Sequence, residues 1–496
     1  MAATTASPAP SALATRRGRL TLALLCTIAF LDFVDASIVN VALPSIRADL
    51  GFSVQGLTWV PSGYLLTYGG FMLLGGRAAD LVGRRPVLLA GTSLFALASL
   101  LGGLAQTDGV LVAGRLLQGV GAALMLPAAL SLLTTTFRDG SDRTTALGVW
   151  GATAGLASAA GVLLGGVLSE GPGWRWVLLI NPPICVGVLA AIVWLTAGDA
   201  RPARRRGAAL DAGGALLVTV AMLLLVFTLV QAPDVGWGAE RTIGGLAAAL
   251  ALLGAFVANE ARAPDPLLPL SIFRVRGLAA ADVTQLVGIA GFLAVFFFLT
   301  LYMQNVLGYS QIQTGTAYLP VCFGVAITAG VCSQLLTRVG TRPVIVAGAL
   351  TAAAGVFLLS RIEVGGSYAG DLLPGLVLMA IGLGAVFVGV TTAANAGVPA
   401  DRAGLAAALL NSSQQVGGAL GLAIFSAVAT ARTDGRLAAG APPAEALTSG
   451  AQRALLLSSI FLLAAAVIAL RAPNTKGEAT GGAPEASEAP PMVAQV

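Results

Sequence analysis

LTLALLCTIAFLDFVDASIVNVALP, residues 20–44, is apolar enough over 20–41 to span a bilayer, yet it carries two carboxylates near its middle, Asp32 and Asp35. About 20 residues of helix cross the hydrocarbon core. An aspartate at the centre of such a helix costs about 2.5–3.5 kcal/mol on insertion. The i, i+3 spacing places both acids on one helix face. Lipid cannot solvate that face, so it must look at protein or at a water-filled cavity. An acid in this position marks a proton or cation site, or else a structural partner for a buried arginine or a helix end.

The rest of the chain is of the same kind. Of its 496 residues, 56% are hydrophobic and 10% charged, against about 25% charged in globular domains. With a mean hydropathy of +0.86, this is an integral membrane protein rather than a string of soluble domains. The net charge of +5 does not point to nucleic acid, because the basic residues are spread between apolar stretches, where they set orientation. There is no histidine, which excludes a histidine relay, a His-ligated metal and a Ser-His-Asp triad. Lys476 is the sole lysine and sits in the C-terminal tail, so a phosphate-binding GxxxxGK[ST] loop is impossible in the membrane body. Cys26, Cys185, Cys322 and Cys332 lie inside apolar stretches with no CxxC spacing and read as small buried hydrophobes. No metal and no cofactor are expected.

Fourteen stretches are long and apolar enough to cross: 20–41, 57–76, 86–105, 109–134, 144–168, 176–196, 210–230, 242–259, 279–304, 313–335, 341–360, 371–395, 403–430 and 452–470. With the N-terminus inside, the inner loops and tails hold 20 of the 28 basic residues and the outer loops 7. That bias predicts both termini in the cytoplasm. Arg115 is the one basic residue within a span. The first stretch follows Arg16, Arg17 and Arg19 like a signal peptide, but its length, its acids and the spans after it make it the first membrane helix. Residues 1–19 and 473–496 read as disordered cytoplasmic tails.

DLVGRRPVLLAG from Asp80 recurs as TRVGTRPVIVAG from Thr337, an offset of 257 residues, and Asp142-Arg143 recurs as Asp401-Arg402, an offset of 259. Both matches shift by eight helices. Parallel six-helix halves are a common plan among secondary transporters. The division expected is 20–200 for the first half, 201–262 for a linker with two extra helices, and 263–472 for the second half.

Several motifs carry a resemblance over residues 20–470 to the major facilitator superfamily, and within it to the fourteen-helix drug:proton antiporters. VDASIVNVALPSI, 34–46, resembles that family's first-helix motif LDxTIVNVALP, with Asp35 at its aspartate and Asp32 additional. GGRAADLVGRRP, 75–86, resembles the loop GxLADRxGRR: Gly76, Asp80, Gly83, Arg84 and Arg85 match, while Ala78 and Leu81 replace Leu and Arg. GRLLQGVGAALMLPAAL from Gly114 resembles the fourth-helix motif, with Arg115, Gln118 and Gly119 in register. WRWVLLINPPI, 174–184, resembles the entry to the sixth helix. GATAGLASAAGVLLGG, 151–166, resembles the fifth-helix antiporter motif ending GPxLGG, with Val162 in place of its proline.

The resemblance implies an all-α membrane protein of fourteen helices in the cytoplasmic membrane, and a monomer. It implies export of small lipophilic drugs or antibiotics by alternating access, driven by the proton gradient; the alternative is a proton-coupled symporter importing a small metabolite. No loop carries an acid cluster or exceeds about 25 residues, which counts against a membrane-embedded enzyme. Asp35 is the expected coupling acid, with Asp32 beside it and Arg115 as partner to either. Asp80, Arg84 and Arg85 are expected to tie the two halves on the inner side in one state, with Gly83 making the turn. Gly151, Gly155, Gly161, Gly165 and Gly166 form a small-residue stripe for close helix contact. Residues expected to line the substrate cavity are Trp59, Tyr64, Tyr68, Gln118, Phe296, Tyr302, Asn305, Asn395, Asn411, Gln414 and Gln415. Asp211 is expected to cap a helix, and Asp282 to be a cap or a second titrating site.

Overall fold

The computed structural model describes residues 12–137, 140–195, 211–264, 266–268, 270–275, 277–396, 398, 403–472 and 474–475. Helices fall on all fourteen apolar stretches: α1 (Arg16–Leu50), α2 (Trp59–Val82), α3 (Arg84–Gly103), α4 (Asp108–Thr136), α5 (Gly140–Glu170), α6 (Asn181–Leu195), α7 (Ala212–Val235), α8 (Glu240–Glu260), α9 (Leu278–Asn305), α10 (Leu319–Val339), α11 (Thr341–Leu359), α12 (Leu373–Asn395), α13 (Ala403–Ala438) and α14 (Pro443–Ala469). Short turns, Arg175–Leu179 and Gln311–Ala317, lead into α6 and α10. Among the described residues there is no strand, and eleven helical segments are long and apolar enough to cross a membrane. The α2 stretch is diluted by Gly, Ser, Thr and Tyr, residues suited to an interior helix that bears polar groups.

Several helices outrun their apolar stretches. α1 continues past residue 41, through Pro44, to Leu50, and Gly51 at φ 72° closes it by donating its N–H to the Arg47 carbonyl. Hydropathy marks the part of a helix that meets lipid, and the hydrogen-bonded ladder runs on into the polar boundary. The tails are also shorter than expected. Thr15 caps α1 by accepting from the Gly18 N–H, so residues 16–19 are helical. At the other end Thr475 accepts from the Thr341 N–H, and Arg342 donates to the Ala472 carbonyl, pinning both residues against the start of α11. Residues 1–11, the inter-half stretch 196–210 and 476–496 lie outside the described residues.

The packing repeats with the same shift of eight. α1 packs on α5 as α9 packs on α13; α3 and α2 pack on α4 as α11 and α10 pack on α12. The halves meet along α2 against α13 and α5 against α10, two seams that exchange under that shift, and α1 also touches α9. The repeated turn is alike in both halves: Gly83 (φ 111°) and Gly340 (φ 90°) take positive dihedrals that a side chain resists. α7 and α8 pack on each other, and α7 also touches α2 and α13, so the extra pair flanks the first seam. The Thr219 hydroxyl fastens α7 to the Gly70 carbonyl of α2 at 2.9 Å. Large apolar side chains such as Leu97, Leu156, Trp194, Leu250 and Ile327 stand two-thirds exposed around the bundle. So much exposed apolar surface needs a partner, and lipid supplies it.

Candidate functional site

The acids of α1 are met by three neighbouring helices. Close approach comes first. A Cβ on Gly119 of α4 would lie 2.1 Å from the Thr67 hydroxyl and 2.3 Å from the Tyr64 carbonyl of α2. One on Gly114 would lie 3.1 Å from the Ala98 carbonyl of α3. The missing side chains let α2, α3 and α4 press together behind α1, and that brings Arg115 and Gln118, one turn apart on α4, into reach of Asp35.

The resulting network leaves one buried polar atom, Asn181 Oδ1, without a partner among the described residues. Arg115 Nη1 binds Asp35 Oδ2 at 2.5 Å, and both side chains are buried. Gln118 Nε2 and Asn181 Nδ2 donate to Asp35 Oδ1 at 2.9 and 2.8 Å. Arg115 also donates to the Val60 carbonyl at 3.0 Å and to Gln118 Oε1 at 2.9 Å. Ser99 of α3 accepts from Gln118 and Asn181 and donates to the Leu178 carbonyl. Both oxygens of Asp35 thus accept from donors, a set that suits an ionised carboxylate paired with a guanidinium.

Asp32, one turn away, is built differently. The Tyr64 hydroxyl donates to Oδ1 at 2.5 Å and the Tyr68 hydroxyl to Oδ2 at 3.1 Å, and among the described residues no cation pairs with it. The guanidinium of Arg115 lies over the Tyr64 ring, 4.3 Å from its centroid, so one phenol stands between the cation and Asp32. Gln415, on α13 of the second half, reaches toward the Tyr68 hydroxyl, and its Cβ lies 3.0 Å from where a Cβ on Gly69 would be. The Asp32 cluster therefore touches the α2–α13 seam.

The other expected site residues are dispersed. Arg84 donates to the Ser131 and Thr135 hydroxyls of α4 at 2.7 and 3.0 Å, and Arg85 to the Val193 carbonyl of α6 at 3.2 Å. All these partners lie in the first half, so in this conformation neither arginine ties the halves together. Gly76 sits in α2 beside Pro127 of α4. The side chains of Asp80 and Asn395 and the surroundings of Gly151 and Gly155 lie outside the described residues. Gly161 and Gly165 face α1: a Cβ would lie 2.0 Å from the Ser37 hydroxyl at the first and 2.6 Å from the Ile38 carbonyl at the second. Gly166 faces the second half, with the Gln311 carbonyl 2.8 Å from its would-be Cβ.

Of the residues expected to line a cavity, Tyr64, Tyr68 and Gln118 are instead buried in the acid network. Trp59 packs on Phe227 of α7, and Phe296 on Phe292 and Tyr318. Gln414 accepts from Gln285 at 3.3 Å; Asn411 lies one turn before it on α13, and Asn305 ends α9. Tyr302 lines a cavity of about 280 Å³ with Ser53 and Gln55 from the first half and Thr430 and Asp434 from the second. Three members of the acid shell, Asn181, Ser99 and the Val60 carbonyl, have no role in the sequence reading; Asn181 stands in the WRWVLLINPPI motif, which was the available signal. Asp211 caps α7 as expected, accepting from the Gly214 N–H. Asp282 is not a cap: it is the fifth residue of α9, and neither of its oxygens accepts a hydrogen bond.

Residues 25–422 match the family model described as Major Facilitator Superfamily. The chain is 40% identical over 450 residues to a cephamycin export protein of Amycolatopsis lactamdurans, covering 90% of this chain and 91% of that one. It is 38% identical over 482 residues to a puromycin resistance protein of Streptomyces alboniger, covering 95% and 94%. Among solved structures, an autoinhibited POT-family peptide transporter superposes with a TM-score of 0.66 at 17% identity, covering 91% of this chain and 96% of that one; that likeness concerns the fold.

Proposed function

The chain belongs to the Major Facilitator Superfamily of membrane transporters and is not an enzyme, and on that footing we propose that it exports small lipophilic drugs or antibiotics in exchange for protons. The observation that carries the export reading is similarity along nearly the whole chain to proteins named for antibiotic export and resistance. The proton reading rests on two acids buried side by side in α1 in unlike surroundings. Both termini lie in the cytoplasm, fourteen helices cross, and the protein works as a monomer.

In this proposal Asp35 stays ionised against Arg115 and holds α1 to α4 and α6. Asp32 exchanges the proton. When it is charged, its oxygens accept from Tyr64 and Tyr68; when it takes a proton, one phenol must turn to accept. Tyr68 leads to Gln415 across the α2–α13 seam, so the proton state of Asp32 is felt where the halves meet. The expectation that Asp35 itself exchanges the proton fits less well, since three donor side chains, one of them a guanidinium, already occupy both its oxygens. Asp80, Arg84 and Arg85 act as the inner gate in the opposite state, when the inner ends of the halves come together.

Everted membrane vesicles test the reading. With a respiration-generated gradient, acid inside, addition of a transported drug releases protons and raises the signal of a trapped pH dye. A panel including a cephamycin, puromycin and lincomycin is expected to give this response for at least one compound. Expression that raises drug accumulation in cells, with no dye response, points to import instead.

A further inference from the structure

Asp282 is the unexplained acid of the second half. Its side chain is 6% exposed, and neither carboxyl oxygen has a hydrogen-bond partner. Leu278 and Ala281 beside it belong to an apolar cluster with Ile345, Val386, Val390 and Ala466. A bare carboxylate in such a place is very costly, and a group so placed takes up a proton instead. Gln285, one turn deeper on the same face, gives its amide N–H to Gln414 of α13 at 3.3 Å.

Asp32 is the seventeenth residue of α1 and Asp282 the fifth of α9. By the repeat offset of 257–259 residues Asp282 corresponds to a position about eight residues before Asp32, so the two acids differ in depth by about 12 Å at 1.5 Å per residue. Charged groups on the surrounding elements are few. Arg471 follows α14 and is exposed; Arg274 ends the turn before α9; Asp211 and Glu260 stand at the inner ends of α7 and α8. No described residue of α12 or of the inner half of α13 is charged.

We infer that Asp282 is a second proton-binding carboxylate, near the inner mouth of the second half, separate from the Asp32–Asp35 pair. This deepens the proton-coupled reading above and rests on it. The enclosure selects the ligand: an amine or a metal ion needs room and further donors, and a proton needs neither. On binding, an O–H bond forms on Asp282 with a proton drawn from water at the inner mouth; on release the proton returns to that water. The charge left behind draws an amide N–H, and Gln285 is placed to turn from Gln414 toward it. The proton on Asp282 thereby sets whether α9 and α13 keep their amide contact.

Infrared difference spectroscopy of the full-length protein in lipid, between acid and alkaline buffer in light and heavy water, reads protonated carboxyl groups without any transported drug. One titrating carboxyl band is expected to vanish in Asp282→Asn and to persist in Asp32→Asn and Asp35→Asn. Asp282→Glu, which keeps the acid if the asparagine variant does not fold, is expected to move that band. A spectrum unchanged in Asp282→Asn, or a band unmoved in Asp282→Glu, overturns the inference. If either occurs while everted vesicles still show drug-dependent proton release, this inference falls and the export reading stands; the reverse pattern removes export and leaves the proton site.

Discussion

Arg115 lies 4.3 Å above the ring of Tyr64 while its Nη1 holds Asp35 at 2.5 Å. The same tyrosine gives its hydroxyl to Asp32. The two acids of α1 are therefore joined through one cation and one phenol, and a change at either is passed to the other without direct contact.

The Asp35–Arg115 pair is a charge pair with little access to water. Removing one partner leaves the other buried alone, a loss of about 3–5 kcal/mol. Asp35→Asn and Arg115→Met are each expected to lower the melting temperature of the purified protein markedly. The double variant is expected to melt well above the value that adding the two losses predicts, because no lone charge remains. Losses that simply add would show the pair to be uncoupled.

Asp32→Asn keeps size and acceptor but cannot exchange a proton. Its cost in stability is expected to stay near the net worth of one hydrogen bond, about 1 kcal/mol. Drug efflux driven by a pH gradient should be lost, while exchange of labelled against unlabelled drug at equal pH continues. Retained pH-driven efflux in this variant would move the coupling away from Asp32.

Gly83 and Gly340 stand at repeated turns with φ of 111° and 90°. Alanine in such backbone costs about 1–3 kcal/mol. At Gly340 a Cβ would also meet the Asn474 side chain 2.1 Å away, so Gly340→Ala is expected to displace Asn474 from the Arg342 N–H as well. The sites lie in different halves, and their effects on thermal unfolding in detergent are expected to add.

Much of this was legible in the chain, and the misses share a cause. Apolar length located each helix because lipid selects for it. The partnership of Arg115 with an α1 acid followed from its being the lone embedded cation. What hydropathy does not carry is direction. Tyr64 and Tyr68 look like any aromatic pair at i, i+4 and read as cavity lining, whereas their hydroxyls are spent on Asp32. Asn181 and Ser99 are small neutral polar residues whose role appears only when α3 and α6 are brought beside α1. In this conformation Arg84 and Arg85 are held by hydroxyls of α4 and a carbonyl of α6; hydropathy says nothing of which state a single conformation displays.

Both ends of the chain are expected on the cytoplasmic face, since the inner loops hold the basic excess. Reporter fusions after Thr196 and after Arg471 should both read cytoplasmic. An outside signal from either would mean that one stretch fails to cross.

The outer seam supplies a test of alternating access. Gly166 of α5 faces the turn before α10: the Gln311 carbonyl would lie 2.8 Å and the Ile312 Cα 2.9 Å from an added Cβ. These obstacles are backbone of the other half and cannot swing aside. Nearby, Gln311 Nε2 donates to the Ser45 hydroxyl at 2.9 Å and Gln304 Nε2 to the Val41 carbonyl at 3.0 Å, so the halves are in contact here, at the ends expected to lie outside. Gly166→Val is expected to hold them apart. With the native cysteines replaced, Ser45→Cys and Gln311→Cys are expected to cross-link under mild oxidant, and adding Gly166→Val should cut the yield several-fold. Drug efflux should fall with it, because a transporter that cannot close its outer end cannot present its site to the cytoplasm. An undiminished cross-link would mean that α5 and the turn before α10 separate no further with a side chain between them, and the seam would not be the closing surface.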